Sequence, residues 1–410
     1  MFKKRKQYAT GIEIGTSKIC VVIAEVSEKH PFKILGVGQS VSSGVRKGVI
    51  CNPKHTAEEL RIAVVNAENA ANVSIGDVCV GITGSHVKSA LSMGEHMVES
   101  ADGRITDEDR EDALKNALDC RPREMSNNSL VLHRIKQPFL VDGKPEESGY
   151  NATARILTLP LYWIYANRAQ TNIPIKILQN LSLEPKYPVF NGFAAAMVLM
   201  DAEQRQKGGL IIDLGAGTTE YVYIHRGSIR YAGSLSIGGD HVSNDLALGL
   251  KLEIGVAENL KTVWGRAICD PQAKGAMMPF EPSEGERGKV RFDHFQLIME
   301  LRLKEIFQII RENLAEAKIH LAPDQGVVLC GGGACIQMIS SLASSVFQAQ
   351  SWPYRLNHLD GFVDALKKPQ LVTPIGLARY CASKVSRKTG APLANIFNFR
   401  RFSGKRKDTE

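Results

Sequence analysis

The chain carries nearly one phrase twice, GIEIGTSK at Gly11–Lys18 and IIDLGAGTT at Ile211–Thr219. Each runs from an apolar strand to an acid, then through a turn of small residues into a second apolar strand, ICVVIAEV or EYVYI. Glu13 and Asp213 hold the same place in the two copies, 200 residues apart. A turn of Gly, Ala, Ser and Thr lets backbone N–H groups approach phosphate oxygens, and an acid beside it can reach a phosphate-bound cation. One such phrase is equally well an ordinary hairpin whose glycines only serve the turn. Two in corresponding contexts predict two similar domains that clamp one nucleotide from opposite sides.

A third glycine cluster, VVLCGGGAC at Val327–Cys335, ends another apolar strand well downstream. Its glycines leave room for backbone to pass against the flat face of an adenine. Acid loop, acid loop and triple glycine, in that order, resemble the actin, heat-shock chaperone and sugar kinase ATPases. The resemblance implies an α/β class, an actin-like two-domain ATPase fold of duplicated ribonuclease-H-like domains.

At 410 residues the chain exceeds one compact core. No stretch approaches the ~20 apolar residues that span a bilayer, and the basic MFKKRKQ start leads straight into a strand, unlike a signal peptide. Eight cysteines without a CxxC pair read as reduced thiols. The net charge of +8 sits at the ends: four basic residues at Lys3–Lys6, and eight basic against two acidic over Lys384–Glu410. Charged ends on a nearly neutral body suit an anionic membrane surface, or are merely solvated tails; they do not suggest the basic groove of a nucleic-acid binder.

Patterning predicts strands and a helix over Tyr8–Gly84, with Thr56 as N-cap and Glu59 completing a capping box. Ser85–Pro160 reads as an α+β insertion: a polar strand pair, a helix opened by Thr106 and three acids, and strands LVLHRIKQPFLV and ARILTLPL. Helical patterning resumes at Leu161–Leu181 and Gly192–Met200; Asp270–Gly288 reads as an exposed loop and Phe292–His320 as a long amphipathic helix. The expected division is 8–84 with 161–200 as the first core, 85–160 as its inserted subdomain, 201–237 with 321–383 as the second core, 238–320 as a second subdomain, and 384–410 as a basic tail.

Within the actin-like group, the opening GIEIGTSK, the VGITGSHV segment and the place of the insertion resemble the FtsA family of bacterial cell-division proteins, over roughly Tyr8–Tyr380. That family anchors the tubulin-like division ring, FtsZ, to the inner face of the cytoplasmic membrane at the division site. The resemblance implies ATP and Mg²⁺ as cofactors. Gly15, Thr16, Ser17 and Lys18 would hold the phosphates from one side, and Gly215, Gly217, Thr218 and Thr219 from the other. Glu13 and Asp213 would organise Mg²⁺ through its waters, and Gly239 and Asp240 would approach the ribose and phosphates. Glu258 and Lys261 would meet ribose and adenine, with Gly331, Gly332 and Gly333 against the base. Glu258 and Lys261 are also spaced as an ordinary exposed helix pair.

The chain departs from the actin-like pattern at Asn191, where actin and the chaperones place the Gln or Glu that orients the attacking water. A shorter amide that cannot act as a base implies slow hydrolysis at most. The resemblance also implies self-assembly into filaments, contacts with further division proteins, and capture of the FtsZ C-terminal peptide on the long helix through Arg302, Lys304 and Arg311. In the tail, Leu393, Ile396, Phe397 and Phe399 span an apolar arc with Arg401 and Lys405 alongside, an imperfect amphipathic helix expected to lie in the membrane surface. Two alternatives share the fold: a type IV pilus assembly protein that binds a partner peptide, and a small-molecule kinase. The kinase would need a catalytic Asp constellation in its first domain, which the sequence lacks, and the pilus protein normally lacks such a tail.

Overall fold

The computed structural model describes residues 7–27, 32–145, 152–281, 288–322, 324–356, 359–361 and 363–389. The chain opens with strands β1 (Gln7–Ile14), β2 (Lys18–Val26) and β3 (Lys33–Val41), followed by the short hairpin β4 (Val45–Arg46) and β5 (Val49–Ile50). Helix α1 (Pro53–Ala71) and strand β6 (Asp77–Ile82) come next. Asn52, not Thr56, caps α1: its side chain accepts from the His55 N–H, and Pro53 takes the first helical position. Thr56 lies inside the helix, buried, and Glu59 instead accepts from Ser43 on the preceding loop.

The stretch expected to be an insertion holds β7 (Val87–Met97), α2 (Asp107–Asp119), β8 (Ser129–Lys136), β9 (Leu140–Val141), β10 (Lys144–Pro145) and β11 (Ile156–Asn167). Thr106 opens α2 with three acids in its first turn, as the sequence predicts, and Thr106 and Asp109 cap it reciprocally. Two expectations fail here. The polar strand pair is one eleven-residue strand, β7, and Leu161–Asn167 is strand rather than helix, because β11 continues past residue 160 along the whole of β7. A long apolar run buried on both faces has no periodicity to tell helix from strand. Trp163, at the centre of this small core, donates to Ser92 Oγ at 2.8 Å.

Helix α3 (Arg168–Asn180), strand β12 (Pro185–Phe190), helix α4 (Asn191–Leu199) and helix α5 (Ala202–Lys207) lead to the second half. There β13 (Gly209–Leu214), β14 (Thr219–His225) and β15 (Ser228–Leu235) form a meander, followed by α6 (Gly239–Leu250) and α7 (Ile254–Trp264). The segment expected as a loop contains β16 (Met277–Phe280), paired with β17 (Gly288–Arg291), before α8 (Phe292–Glu316). The chain closes with β18 (Gly326–Cys330), α9 (Ile339–Phe347), β19 (Gln350–Pro353), β20 (Asp360–Gly361), α10 (Val363–Leu366) and α11 (Val372–Thr389).

The duplication seen in the motifs extends to the sheets. The first runs β12-β6-β1-β2-β3, with β20 added at its edge, and the second runs β19-β18-β13-β14-β15. In both, an antiparallel meander is extended on one side by two parallel strands. Between the sheets lies α4, buried at all nine residues and apolar all round, as a helix packed on every side must be. Helix α11 packs on β1, β2, β6 and α4. Residues 372–383 therefore join the first half, and the expected second core of 321–383 is too long. A chain that returns to its starting sheet leaves no local mark of the crossing.

Among the described residues no helix is long and apolar enough to cross a membrane. Leu393, Ile396, Phe397, Phe399, Arg401 and Lys405 lie outside the described residues.

Candidate functional site: a cleft between two matched turns

The two repeated phrases fold into the same turn. Gly15 N–H donates to Lys18 O at 3.0 Å, and Gly215 N–H to Thr218 O at 3.0 Å. A Cβ on either glycine would stand 2.8 Å from that acceptor oxygen, so both turns need glycine there. The turns face each other: a Cβ on Gly217 would fall 2.4 Å from Thr16 Oγ1. Strand ends bring the remaining walls, Thr83 after β6, Asn191 after β12 and Gly331 after β18. The ends of parallel strands are where open α/β sheets place ligands.

The resulting cavity has a volume of about 330 Å³, within the range of small-molecule sites. Gly15, Thr16, Ser17 and Lys18 line it from the first half, and Gly215, Gly217 and Thr218 from the second. Glu13, Asp213, Asn191, Gly239, Glu258, Lys261, Gly331, Gly332 and Gly333 also lie on its wall. Thr219 and Asp240 do not. The Thr219 hydroxyl donates to Ile237 O at 2.7 Å, and the Asp240 N–H to Ala216 O at 2.8 Å. Both fix the loop that starts α6, and the Asp240 side chain is exposed.

The three glycines have separate tasks. Gly331 has φ +80°, and a Cβ there would meet Asp213 Oδ1 at 2.3 Å; one on Gly333 would meet Leu214 at 2.4 Å. Gly332 alone has nothing within 4 Å of its Cβ direction and presents a bare face. Glu258 and Lys261 form more than a loose helix pair. Lys261 Nζ donates to Glu258 Oε2 at 2.6 Å and to Gly239 O at 3.0 Å, and the Ser243 hydroxyl donates to the same carboxylate. They tie α7 to the first turn of α6 and keep both side chains on the cavity wall.

Besides Glu258, three carboxylates share the cleft closely enough to feel one another's charge, Glu13, Asp213 and Glu220, and the last is not foreseen from the sequence. Glu220 on β14 is the cross-strand neighbour of Asp213, the place that Cys20 takes opposite Glu13 in the first hairpin. Glu220 accepts from the hydroxyls of Thr83 and Ser234, and Asp213 from that of Thr373. Burial, then the neighbouring Asp213 charge, pushes Glu13 up to about 8 and Glu220 up to about 7. Asp213 is raised as well, chiefly by burial, with the Thr373 hydrogen bond and Lys18 opposing. Lys18 Nζ donates to Gln370 O at 2.8 Å. Glu220 was within reach of the sequence, since hairpin register places it opposite Asp213. Thr83 and Thr373 come from 137 and 160 residues away from their carboxylate partners and carry no local signal.

The donor set fits a nucleotide with a divalent cation. Backbone turns and Lys18 suit phosphates, the bare Gly332 suits a base, and crowded carboxylates favour a cation. Among the described residues no three His, Cys, Asp or Glu side chains converge as direct metal ligands, so the cation would be held through water and phosphate oxygens. Asn191 Oδ1 is buried at the wall and has no hydrogen-bond partner among the described residues.

On α8, Arg302 does not offer a free fork. Its guanidinium pairs with Asp245 on α6 and with Glu305 one turn on. Arg311 donates to Val346 O at 3.1 Å, and Lys304 is exposed.

Residues 210–376 match the family model described as "Cell division protein FtsA". The cell division protein FtsA of Borreliella burgdorferi is 29% identical over 377 residues, covering 90% of both chains. Among solved structures, the PilM–PilN type IV pilus biogenesis complex superposes with TM-score 0.63 at 15% identity, over 91% of this chain and 98% of that one. MreB5 of Spiroplasma citri bound to AMPPNP gives TM-score 0.50 at 14% identity, over 94% and 97%. At such identities these two show the fold alone. The chain is thus related along nine-tenths of its length to the FtsA cell division proteins, and its fold is the two-domain actin-like one.

Proposed function

We propose that the protein binds ATP with Mg²⁺ in this cleft, assembles into filaments, and ties the tubulin-like division protein FtsZ to the inner face of the cytoplasmic membrane, where other division proteins join it. The observation that carries the reading is the pair of matched turns facing one cavity. Gly15–Lys18 and Gly215–Thr218 cradle the phosphates, and Glu13 and Asp213 orient the waters of Mg²⁺. Glu258 and Lys261 meet the ribose and adenine, with the base on Gly332. The AMPPNP in the actin-like MreB5 structure supports a nucleotide here.

Mg²⁺ supplies charge neutralisation along the phosphates. The protein's own contribution to hydrolysis is small: Asn191 positions a water but takes no proton, so turnover falls below about 1 s⁻¹.

Self-association uses the inserted sheet, whose solvent face on β7 exposes Leu91, Met93 and Met97. A head-to-tail contact made there does not close on itself and builds filaments. The acidic and apolar FtsZ tail docks on α8, where Leu297 and Leu301 lie exposed, as does Leu248 on the adjoining α6, with Lys304 and Arg311 on the same helix and Arg302 exchanging its present partners for the peptide's carboxylates. The tail, through Leu393, Ile396, Phe397 and Phe399 with Arg401 and Lys405, holds the protein at the membrane as a peripheral protein.

Sedimentation with anionic vesicles, with and without ATP–Mg²⁺, tests the whole reading. Intact protein should pellet, more so with ATP, and protein lacking Pro392–Glu410 should stay in solution. Equal pelleting of the truncated chain would remove the tether.

A further inference from the structure

The β4–β5 hairpin stands between the two phosphate loops. Its two-residue tip, Lys47–Gly48, has positive φ at both positions, 49° and 74°, the backbone of a type I′ turn. Lysine adopts that conformation reluctantly, and such backbone persists only where the surroundings demand it.

The demand comes from both halves of the molecule. Gly48 N–H donates to Thr16 Oγ1 at 3.2 Å in the first loop. A Cβ on Gly48 would stand 2.7 Å from Thr218 Cγ2 in the second. From the other side, a Cβ on Gly217 would stand 2.9 Å from both N and Cα of Lys47. The tip is therefore wedged where the two loops meet, and neither loop can shift without moving it.

The Lys47 side chain is exposed, and its charge reaches the first turn of α6. His241 there is held below its ordinary pKa by burial first and by the Lys47 charge next. The two lysines on the cavity wall are engaged, Lys18 with Gln370 O and Lys261 with Gly239 O and Glu258, whereas Lys47 stands behind that wall with its backbone against both turns. Among the described residues Lys47 has no hydrogen bond or ion pair.

We propose that the Lys47–Gly48 tip is the terminal-phosphate sensor of this cleft. The inference rests on the cleft being an ATP site. With ATP bound, the Lys47 ammonium takes the charge of the third phosphate and holds the hairpin against both loops. With ADP that charge is gone, the wedge loosens, and the two halves are freer to part.

The test compares ATP and ADP binding, each with Mg²⁺, by calorimetry on the full chain. Lys47→Asn removes the charge while keeping a residue that accepts positive φ, and Lys47→Arg restores the charge. Lys47→Asn should weaken ATP roughly tenfold or more while leaving ADP within about twofold, as loss of one charge-assisted hydrogen bond would. Lys47→Arg should recover most of the difference. Limited trypsin cleavage after Arg46 and Lys47 of the wild-type protein should be slowed by ATP more than by ADP. An equal loss for both nucleotides, no loss for either, or equal protection overturns the sensor while leaving the ATP site standing. A wild-type protein that binds neither nucleotide overturns the site and the sensor together.

Discussion

The Thr83 hydroxyl, at the end of β6 in the first half, donates to the Glu220 carboxylate on β14 in the second, so a hydrogen bond crosses the floor of the cleft. Thr83 also meets Thr218 Oγ1 at 3.1 Å, and Ser234 holds the same carboxylate from β15. The contact joins the two halves through a buried acid that the first hairpin lacks.

That acid gives the cleft a pH dependence. Glu13 and Glu220 titrate near 8 and 7 in the folded chain, against a carboxylate's ordinary 4.5. The folded state then holds more protons than the unfolded one, and stability is lost as pH rises through that window. The nucleotide-free protein should melt lower at pH 8 than at pH 5.5. Glu220→Gln should flatten the slope, by up to about 1.4 kcal/mol per pH unit for one proton. A Glu220→Gln protein with the wild-type slope would show that this carboxyl is not the group responsible.

Adjacent glycines should behave differently. Gly331→Ala forces a Cβ toward Asp213 at φ +80°, and a loss of about 1–3 kcal/mol is expected in denaturant titrations. Gly332→Ala meets open space and should leave the unfolding midpoint nearly unchanged. Equal stability of the two variants would mean that the strand end is looser than described.

The inserted sheet is fastened to the second half by a closed ring of hydrogen bonds. Ala232 N–H on β15 donates to the Tyr162 hydroxyl at 2.8 Å, Tyr162 to Ser89 Oγ at 2.7 Å, and Ser89 back to Ala232 O at 2.7 Å. Tyr162→Phe leaves a buried N–H without its acceptor and should cost about 1–3 kcal/mol. Hydrogen exchange should quicken along Ser228–Leu235 and little elsewhere; uniform quickening would indicate general destabilisation.

On α8, Arg302→Ala releases Asp245 and Glu305 and should cost about 1 kcal/mol of stability. It is a poor probe of partner binding for that reason. Leu301 is 58% exposed, so Leu301→Asp should keep the melting temperature and still weaken an FtsZ tail peptide several-fold in fluorescence anisotropy. Unchanged peptide affinity would move the docking face off α8.

Much of this arrangement was legible because its signals are local. The acid–glycine turns, the Thr106 cap on α2 and the amphipathic α8 each declare themselves within a few residues. The two turns that line the cavity followed from the first of these. What stayed hidden depends on distant packing. Thr83, Thr373 and the Lys47–Gly48 tip reach the site only after both sheets have formed. The Leu161–Asn167 strand looked helical because burial on both faces erases alternation, and α11 returns to the first sheet without a mark in its sequence. Thr56 misled for a smaller reason, since Asn52 followed by Pro53 is an earlier start that suits the helix better.

The most direct test is calorimetry of ATP–Mg²⁺ binding to the wild-type chain, Asp213→Ala and Gly332→Asp. Both residues line the cavity, and on the proposed reading Asp213 orients the cation's waters while the bare Gly332 face takes the base. The expected result is one ATP per chain for the wild type, clearly weaker Mg²⁺-dependent binding for Asp213→Ala, and none measurable for Gly332→Asp despite an unchanged melting temperature. Wild-type affinity in both variants would contradict it.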